Sequence, residues 1–238
     1  MSDDAVSDLP DDVIQRTPAW FKIRSGNVGG SQAESIYSTL KSGRESARRR
    51  DLRTRLSLER VLGHSMEPQD GYVSEDMQRG LDLEMEAVTA LSEHIGLLIR
   101  PVGWIQDTSR RAGVSPDGIA MGAENDILVE VKAPRPANHL SALRLRGATG
   151  LDAIPPRNRS QLLHALAVSA LPAIYFASFC PLFPEGLQLY SYLLTRESVS
   201  EELAVYSRKL DVFLSEVSDE ESEVRRLMCE TTKENNDG

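Results

Sequence analysis

The chain has 238 residues, of which 40% are apolar and 26% are charged, with a formal net charge of -9. That length supports one sizeable buried core, and its two cysteines, Cys180 and Cys229, exclude a disulfide framework and lack metal-ligand spacing. No run approaches the ~18 apolar residues of a membrane span, and the acidic N-terminus resembles neither a secretory leader nor a transit peptide. We therefore expect a cytoplasmic protein without a membrane partner.

The acidic charge lies at the two ends of the chain. Residues 1–15 contain five acids and no base, and residues 216–238 contain eight acids and three bases, which leaves the body between them at +1. Because salt screens charges beyond a Debye length of ~8 Å, local basic patches govern attraction to phosphate. The net charge therefore does not exclude a nucleic-acid partner. We expect flexible acidic tails over 1–15 and 218–238 and a single domain over 16–217.

Helices are predicted first along the chain. Ser31 followed by Glu34 is a capping-box pattern, which predicts a helix over 31–41. Two longer helices are expected over 44–62 and 75–95, each followed by a glycine.

The helix over 44–62 is rich in arginine. A run of arginines is often a solvated helix face, but in a protein that binds DNA it suits contacts to the phosphate backbone. The candidates for such contacts are Arg48, Arg49 and Arg53.

Strands are predicted next, over 97–105 and 110–114. The clearest strand is 126–132 (DILVEVK), whose apolar residues alternate, and a turn before it predicts a hairpin with 118–121. A helix over 160–170, strands over 173–179 and 187–194, and a closing helix follow. The core stripe of that last helix is Leu203, Tyr206, Leu210, Phe213 and Val217. This order indicates an α/β domain with a central mixed β-sheet flanked by helices.

Three residues form the candidate catalytic group: Asp117 in a Ser-Pro-Asp-Gly turn, and Glu130 and Lys132 on the following strand. Residues two apart on a strand leave the same face, so the acid and the amine stand side by side. Two carboxylates suit a hard divalent ion such as Mg²⁺, and a lysine beside them can orient or deprotonate water or stabilise charge on phosphate. The alternative is a solvated ion pair on a half-exposed strand.

Glu84 is a second candidate, because it shares the apolar stripe of the helix over 75–95 with Leu81, Val88 and Leu91. A carboxylate in such a position requires a cation or a hydrogen-bond partner. A metal ion would be such a partner. Exposure of the carboxylate to water at the edge of the stripe, or an ion pair with Arg79, would satisfy it equally well.

Six segments in chain order resemble the bacteriophage lambda exonuclease family, also called YqaJ-type viral recombinases, within the PD-(D/E)xK nuclease superfamily. They are 20–26 (WFKIRSG) with Ser31 after it, 80–84 (GLDLE), 115–118 (SPDG), 130–134 (EVKAP), Ser160-Gln161, and 175–181 (YFASFCP) followed by Glu185-Gly186-Leu187. Each segment is weak evidence by itself, whereas six in the same order are specific. Together they extend over roughly residues 18–215 and imply a restriction-endonuclease-like core.

The resemblance implies roles for particular residues. Asp117, Glu130 and the main-chain carbonyl of Val131 match metal ligands, with Glu84 on a second metal ion. Lys132 matches the catalytic lysine, and Gln161 matches a helix glutamine beside the metal site. Arg24 and Ser31 match residues that bind a 5′ phosphate, for which a two-pronged guanidinium is well suited.

The expected activity is that of a Mg²⁺-dependent 5′→3′ exonuclease on double-stranded DNA, with Mn²⁺ as an alternative ion. It would release 5′-mononucleotides and leave a 3′ single strand for recombination by annealing. The resemblance also implies a homotrimer, a single-strand annealing protein as partner, and a phage or prophage gene expressed in a bacterial host. The alternatives are an endonuclease of the same superfamily and a non-catalytic DNA-binding module.

Overall fold

The computed structural model describes residues 13–38, 43–67 and 74–236. The first half of the chain is mainly helical, with α1 (Pro18–Arg24), α2 (Ala33–Tyr37), α3 (Ala47–Leu62) and α4 (Glu75–Ile95). The strands that follow are short except the last, and they are β1 (Ile99–Arg100), β2 (Ile105–Asp107), β3 (Ala112–Val114), β4 (Gly118–Ala120) and β5 (Ile127–Lys132). The remaining elements are α5 (Pro136–Leu143), α6 (Pro156–Val168), β6 (Ala173–Phe179), β7 (Leu189–Thr195) and α7 (Ser200–Asn236).

The central sheet has five strands in the order β1-β4-β5-β6-β7. Its middle pair, β5 and β6, is parallel, and the other neighbours are antiparallel. Strands β2 and β3 form a separate two-stranded sheet. The predicted α/β fold with a mixed sheet is confirmed, as is the hairpin of β4 with β5.

Helices cover both faces of the sheet. On one face Ala87 and Leu91 of α4 pack against Val129 and Val131 of β5. On the other face Leu128 belongs to the larger core, to which α3, α6 and α7 also contribute. Because side chains alternate along a strand, Glu130 and Lys132 lie on the face of that larger core, beneath α6.

Several helix ends differ from the prediction. The segment predicted as a helix over 31–41 is a short 3-10 turn, Gly30–Gln32, followed by α2, and residues 39–42 lie outside the described part. Helix α6 begins at Pro156, before the predicted start at residue 160, because proline fits the first turn, where its missing N–H has no helical partner. Helices α1 and α5 were not predicted, and both also begin with proline.

The closing helix extends well past the predicted domain end at residue 217. All five residues of its predicted core stripe are buried. Helix α7 then continues to Asn236, where the sequence predicted a flexible acidic tail. Acidic side chains of this extension bind arginines of the domain: Glu220 accepts from Arg53 at 2.7 Å, and Glu221 lies 3.5 Å from Arg111. Opposite charges therefore attach the start of this extension, at Glu220 and Glu221, to the rest of the domain.

The opposite end of the chain also differs from the expected boundary. Residues 1–12 lie outside the described part, but Gln15, predicted to be in the flexible tail, donates to the carbonyls of Val102 and Pro116. No helix in the described ranges combines the length and apolarity that a membrane crossing needs.

Candidate active site

Asp117 is held beside β5 by the turn that begins β4. Its backbone N–H donates to the Val129 carbonyl at 2.9 Å, and its Oδ2 accepts from the Val131 N–H at 2.7 Å. Gly118 is required here, because a Cβ at that position would lie 2.5 Å from the Ile99 side chain. The Pro-Asp-Gly turn therefore places a carboxylate alongside Glu130 and Lys132.

Glu130 is the buried acid of the group, with 2% of its surface exposed. Its Oε1 accepts from the ammonium of Lys132 and from Nε2 of Gln161, the latter at 2.6 Å. Gln161 reaches the sheet from α6, which packs against Gly30. The structure thus brings together four of the five residues that the sequence placed at the catalytic centre; Glu84 is the fifth.

The electrostatics of this group are dominated by its carboxylates. Burial, together with the negative charge of Glu130, raises the pKa of Asp117 to about 8. Burial opposes the charge on Lys132, but the carboxylates of Glu130, Asp117 and Glu84 outweigh it and raise the pKa of that ammonium above its usual value. Two acids at close range with one lysine form a site that gains from a further positive charge.

Glu84 lies at the edge of the group rather than inside it. Its side chain is 30% exposed and its Oε2 accepts from Nη2 of Arg16 at 3.2 Å. Its partner is therefore Arg16, and the alternative pairing with Arg79 is not observed; Arg79 instead reaches Sγ of Cys180. Glu84 remains near enough to raise the pKa values of both Asp117 and Lys132.

Arg24 and Ser31 share one cavity with the catalytic group. Its volume is about 230 Å³. The predicted site residues that line it are Arg24, Ser31, Asp117, Glu130, Lys132 and Gln161. A ligand in this cavity therefore meets the arginine and the carboxylates at once.

The guanidinium of Arg24 is held by its neighbours before any ligand arrives. It lies over the ring of Trp20 at 3.9 Å and 3.7 Å from Glu67. Burial lowers its pKa from the usual value, although Glu67 acts in the opposite direction. Trp20 is itself buried and donates to the Gly103 carbonyl and to Ser115, so it is a core residue that orients the arginine.

The three arginines proposed for DNA contacts are already engaged within the chain. Arg49 bridges Glu45 and Glu216 at 2.6 Å each, and Arg53 binds Glu45. Arg48 is largely exposed and pairs with Glu34 at 3.2 Å. Arg49 and Arg53 connect α3 to α7 through Glu216 and Glu220, and Arg48 has the most solvent access of the three. The contacts of all three arginines to DNA stay predictions.

Sequence reasoning missed several residues of the cavity. Gln15, Arg16 and Trp104 also line it, and they come from segments with no recognisable motif. Gln15 and Arg16 reach the cavity because they lie shortly before Trp20 in the chain. Trp104 reaches it because it lies next to β2. No local pattern could have identified them.

The donor set of the site suits a hard divalent ion. Within the described ranges, no three side chains of aspartate, glutamate, histidine or cysteine meet as a metal-binding group. Asp117 and Glu130 nevertheless supply carboxylate oxygens next to the main chain of Val131, and Mg²⁺ characteristically uses one or two carboxylates with water and substrate oxygens. The residues therefore fit Mg²⁺ better than a metal that needs a closed cage of side chains.

The chain matches the family model described as the YqaJ-like viral recombinase domain over residues 19–172. It is similar in structure to an alkaline exonuclease from Laribacter hongkongensis, with 22% identity, a TM-score of 0.72, and coverage of 90% of this chain and 100% of that one. The complex of that enzyme with dAMP gives a TM-score of 0.71 at 22% identity, with coverage of 90% and 100%. A phage related exonuclease from Haemophilus somnus 129PT gives 0.59 at 9% identity, with coverage of 85% and 96%. No curated protein matches the sequence significantly.

Proposed function

The chain belongs to the YqaJ-like viral recombinase family, and on that basis we propose that it is a metal-dependent 5′→3′ exonuclease acting on the ends of double-stranded DNA. The observation that carries this proposal is the single cavity lined by Asp117, Glu130, Lys132 and Arg24. The structurally similar proteins named as exonucleases support the same reaction class.

The carboxylates and the lysine have different roles in the proposed reaction. Asp117, Glu130 and the Val131 carbonyl would hold Mg²⁺, with Glu84 beside a second ion, and Mn²⁺ is an alternative. When bound, the ion neutralises charge on the phosphate and lowers the pKa of nearby water. Lys132, which the neighbouring carboxylates keep protonated, would orient the attacking water or stabilise charge on the phosphate in the transition state; it could deprotonate that water only after losing its own proton. Gln161 holds Glu130 in position through its amide.

Arg24 and Ser31 support the 5′ end as the point of attack. A guanidinium fixed against an aromatic ring loses little conformational freedom when it binds two oxygens of a terminal phosphate. Ser31 adds a hydroxyl donor within the same cavity. Attack by water on the adjoining phosphodiester would then release a 5′-mononucleotide and leave a 3′ single strand.

Family membership supports proposals about the partners of this protein and the place where it acts. We propose double-stranded DNA ends as the substrate, a homotrimer as the assembly, and a single-strand annealing protein as a recombination partner. The site of action would be the cytoplasm of a bacterial host, with the gene carried by a phage or prophage.

Digestion of matched DNA forms tests the activity. The protein should degrade a linearised plasmid in the presence of Mg²⁺, leave the covalently closed form intact, and release label from the 5′ end before the 3′ end. Cleavage of the closed form would identify an endonuclease of the same superfamily. Binding without release of acid-soluble nucleotides, with or without Mg²⁺, would identify a non-catalytic DNA-binding module.

Replacing Arg24 with glutamine should remove the preference for a phosphorylated end. We expect the ratio of rates on 5′-phosphate and 5′-hydroxyl duplexes to fall by roughly 10- to 100-fold, since a charged hydrogen bond contributes about 1.5–3 kcal/mol. The matched control is Lys22→Gln, which removes an exposed positive charge from the same helix. An unchanged ratio in Arg24→Gln would exclude Arg24 from phosphate recognition.

A further inference from the structure

Arg16 has an unusual backbone conformation at the edge of the active-site cavity. Its φ is +67°, in the left-handed region that residues with a side chain rarely adopt. Among the described residues other than glycine, only Arg111 shares a positive φ. A strained backbone of this kind persists only where its surroundings enforce it, and such positions concentrate at functional sites.

Neighbours on both sides enforce this conformation. The side-chain amide of Gln15 donates to the carbonyls of Val102 at 3.1 Å and Pro116 at 2.9 Å, which attaches the segment next to Asp117. Thr17 caps α1: its hydroxyl accepts from the Trp20 N–H at 3.3 Å and donates to the Ile14 carbonyl at 2.7 Å. Arg16 lies between these two attachments, which restrict its backbone conformation.

The enforced conformation brings the side chain of Arg16 to the catalytic group. Arg16 lines the same cavity as Asp117, Glu130 and Lys132. Its Nη2 lies 3.2 Å from Oε2 of Glu84, with the two side chains 55% and 30% exposed. The cation that pairs with the Glu84 carboxylate is therefore a residue of the same chain.

We propose that Arg16 is a placeholder cation on Glu84, which a divalent metal ion must displace before Glu84 can act as a ligand. The inference rests on the proposed function, because it assumes that Asp117 and Glu130 hold the first ion. A guanidinium at hydrogen-bond distance occupies the carboxylate oxygen and repels a second cation nearby. Metal therefore binds in two stages, tightly at Asp117 and Glu130 and more weakly at Glu84.

Calorimetric titration with Mn²⁺ in the absence of DNA tests the proposal without relying on activity. Wild type should show a tighter and a weaker class of binding. In Arg16→Gly the weaker class should tighten roughly three- to tenfold, the range expected from removing one partly exposed ion pair. Glycine accepts φ +67°, so this variant removes the guanidinium and relieves backbone strain.

Two further variants separate a competing charge from a structural role. Arg16→Lys keeps the positive charge and should retain the weak class, and Glu84→Gln should lose that class while keeping the tight one. If Arg16 served only to fasten the N-terminal segment, Arg16→Gly would lower the melting temperature and leave both affinities unchanged, which would overturn the proposal.

Failure of the inference and failure of the proposed function give different results. Metal-dependent digestion by wild type with an unchanged isotherm in Arg16→Gly would overturn the placeholder role alone. Absence of both metal binding and metal-dependent digestion in wild type would overturn the two proposals together.

Discussion

Replacing Lys132 with alanine should reduce digestion of linear duplex DNA at least about 100-fold while DNA binding is retained. The expected loss follows from the size of general acid–base and electrostatic contributions, each worth about 10²-fold or more in rate. Lys132 is the one positive charge hydrogen-bonded to Glu130 in the described structure, and the carboxylates of Glu130, Asp117 and Glu84 raise its pKa and keep it protonated. Without it, the transition state loses a positive charge that water does not replace.

The measurement is single-turnover digestion of an end-labelled duplex, with binding followed separately in the presence of Ca²⁺. Lys209→Ala is the matched control, since it removes an exposed lysine from α7. Near-normal cleavage by Lys132→Ala would remove the lysine from the mechanism. Loss of binding in parallel with loss of cleavage would assign it to substrate affinity.

Replacing Asp117 with asparagine should abolish metal-dependent digestion and at the same time stabilise the metal-free protein. The activity should fall by about 10³-fold or more, because an ion at this site contributes several kcal/mol to the transition state. Asparagine keeps an oxygen that can accept from the Val131 N–H, so the turn should retain its form. The variant therefore separates the charge of Asp117 from its structural role.

The stability gain has a defined pH dependence. The pKa of Asp117 is raised from 3.8 to about 8, first by burial and then by Glu130, so the folded state keeps a proton that the unfolded state releases between those values. Unfolding of wild type is thereby favoured progressively as pH rises from about 4 to about 8. The advantage of Asp117→Asn is absent below that window and largest above it, on the order of 1–3 kcal/mol in the free energy of unfolding.

Urea unfolding of chelator-treated protein at pH 4 and pH 8 measures this difference. Asp126→Asn is the matched control, because Asp126 belongs to the same hairpin but pairs with Arg100 at 3.9 Å. Equal stability of Asp117→Asn and wild type at pH 8 would show that the carboxylate carries no electrostatic strain in the metal-free state.

Much of the catalytic group was predictable because it depends on local periodicity. Glu130 and Lys132 are two apart on a strand, so they share a face in any fold that keeps the strand. The Pro-Asp-Gly turn and the hairpin that follows it bring Asp117 alongside by short-range pairing. Gln161 was recognised only through resemblance to a family, since a glutamine on a helix has no chemical signature of its own.

Two expectations depended on charge considered without its partners. Arg49 and Arg53 suggested a DNA-binding surface, and residues 218–238 suggested a flexible acidic tail, whereas in the structure the two arginines pair with Glu216 and Glu220 of α7. Composition records the charge of each segment, but not which charges meet. Only the packing of α3 against α7 shows which charges of the two segments pair.

The amino-acid order by itself determined the strand with its acid and lysine, the turn with its aspartate, and the apolar stripe of the closing helix, since each depends on neighbours a few residues apart. Tertiary structure decided which cation each distant carboxylate receives. Arg16 reaches Glu84 and Arg24 reaches Glu67 across gaps of tens of residues. Such pairs form only after the chain has folded, because loop closure and packing choose them, and no local pattern records that choice.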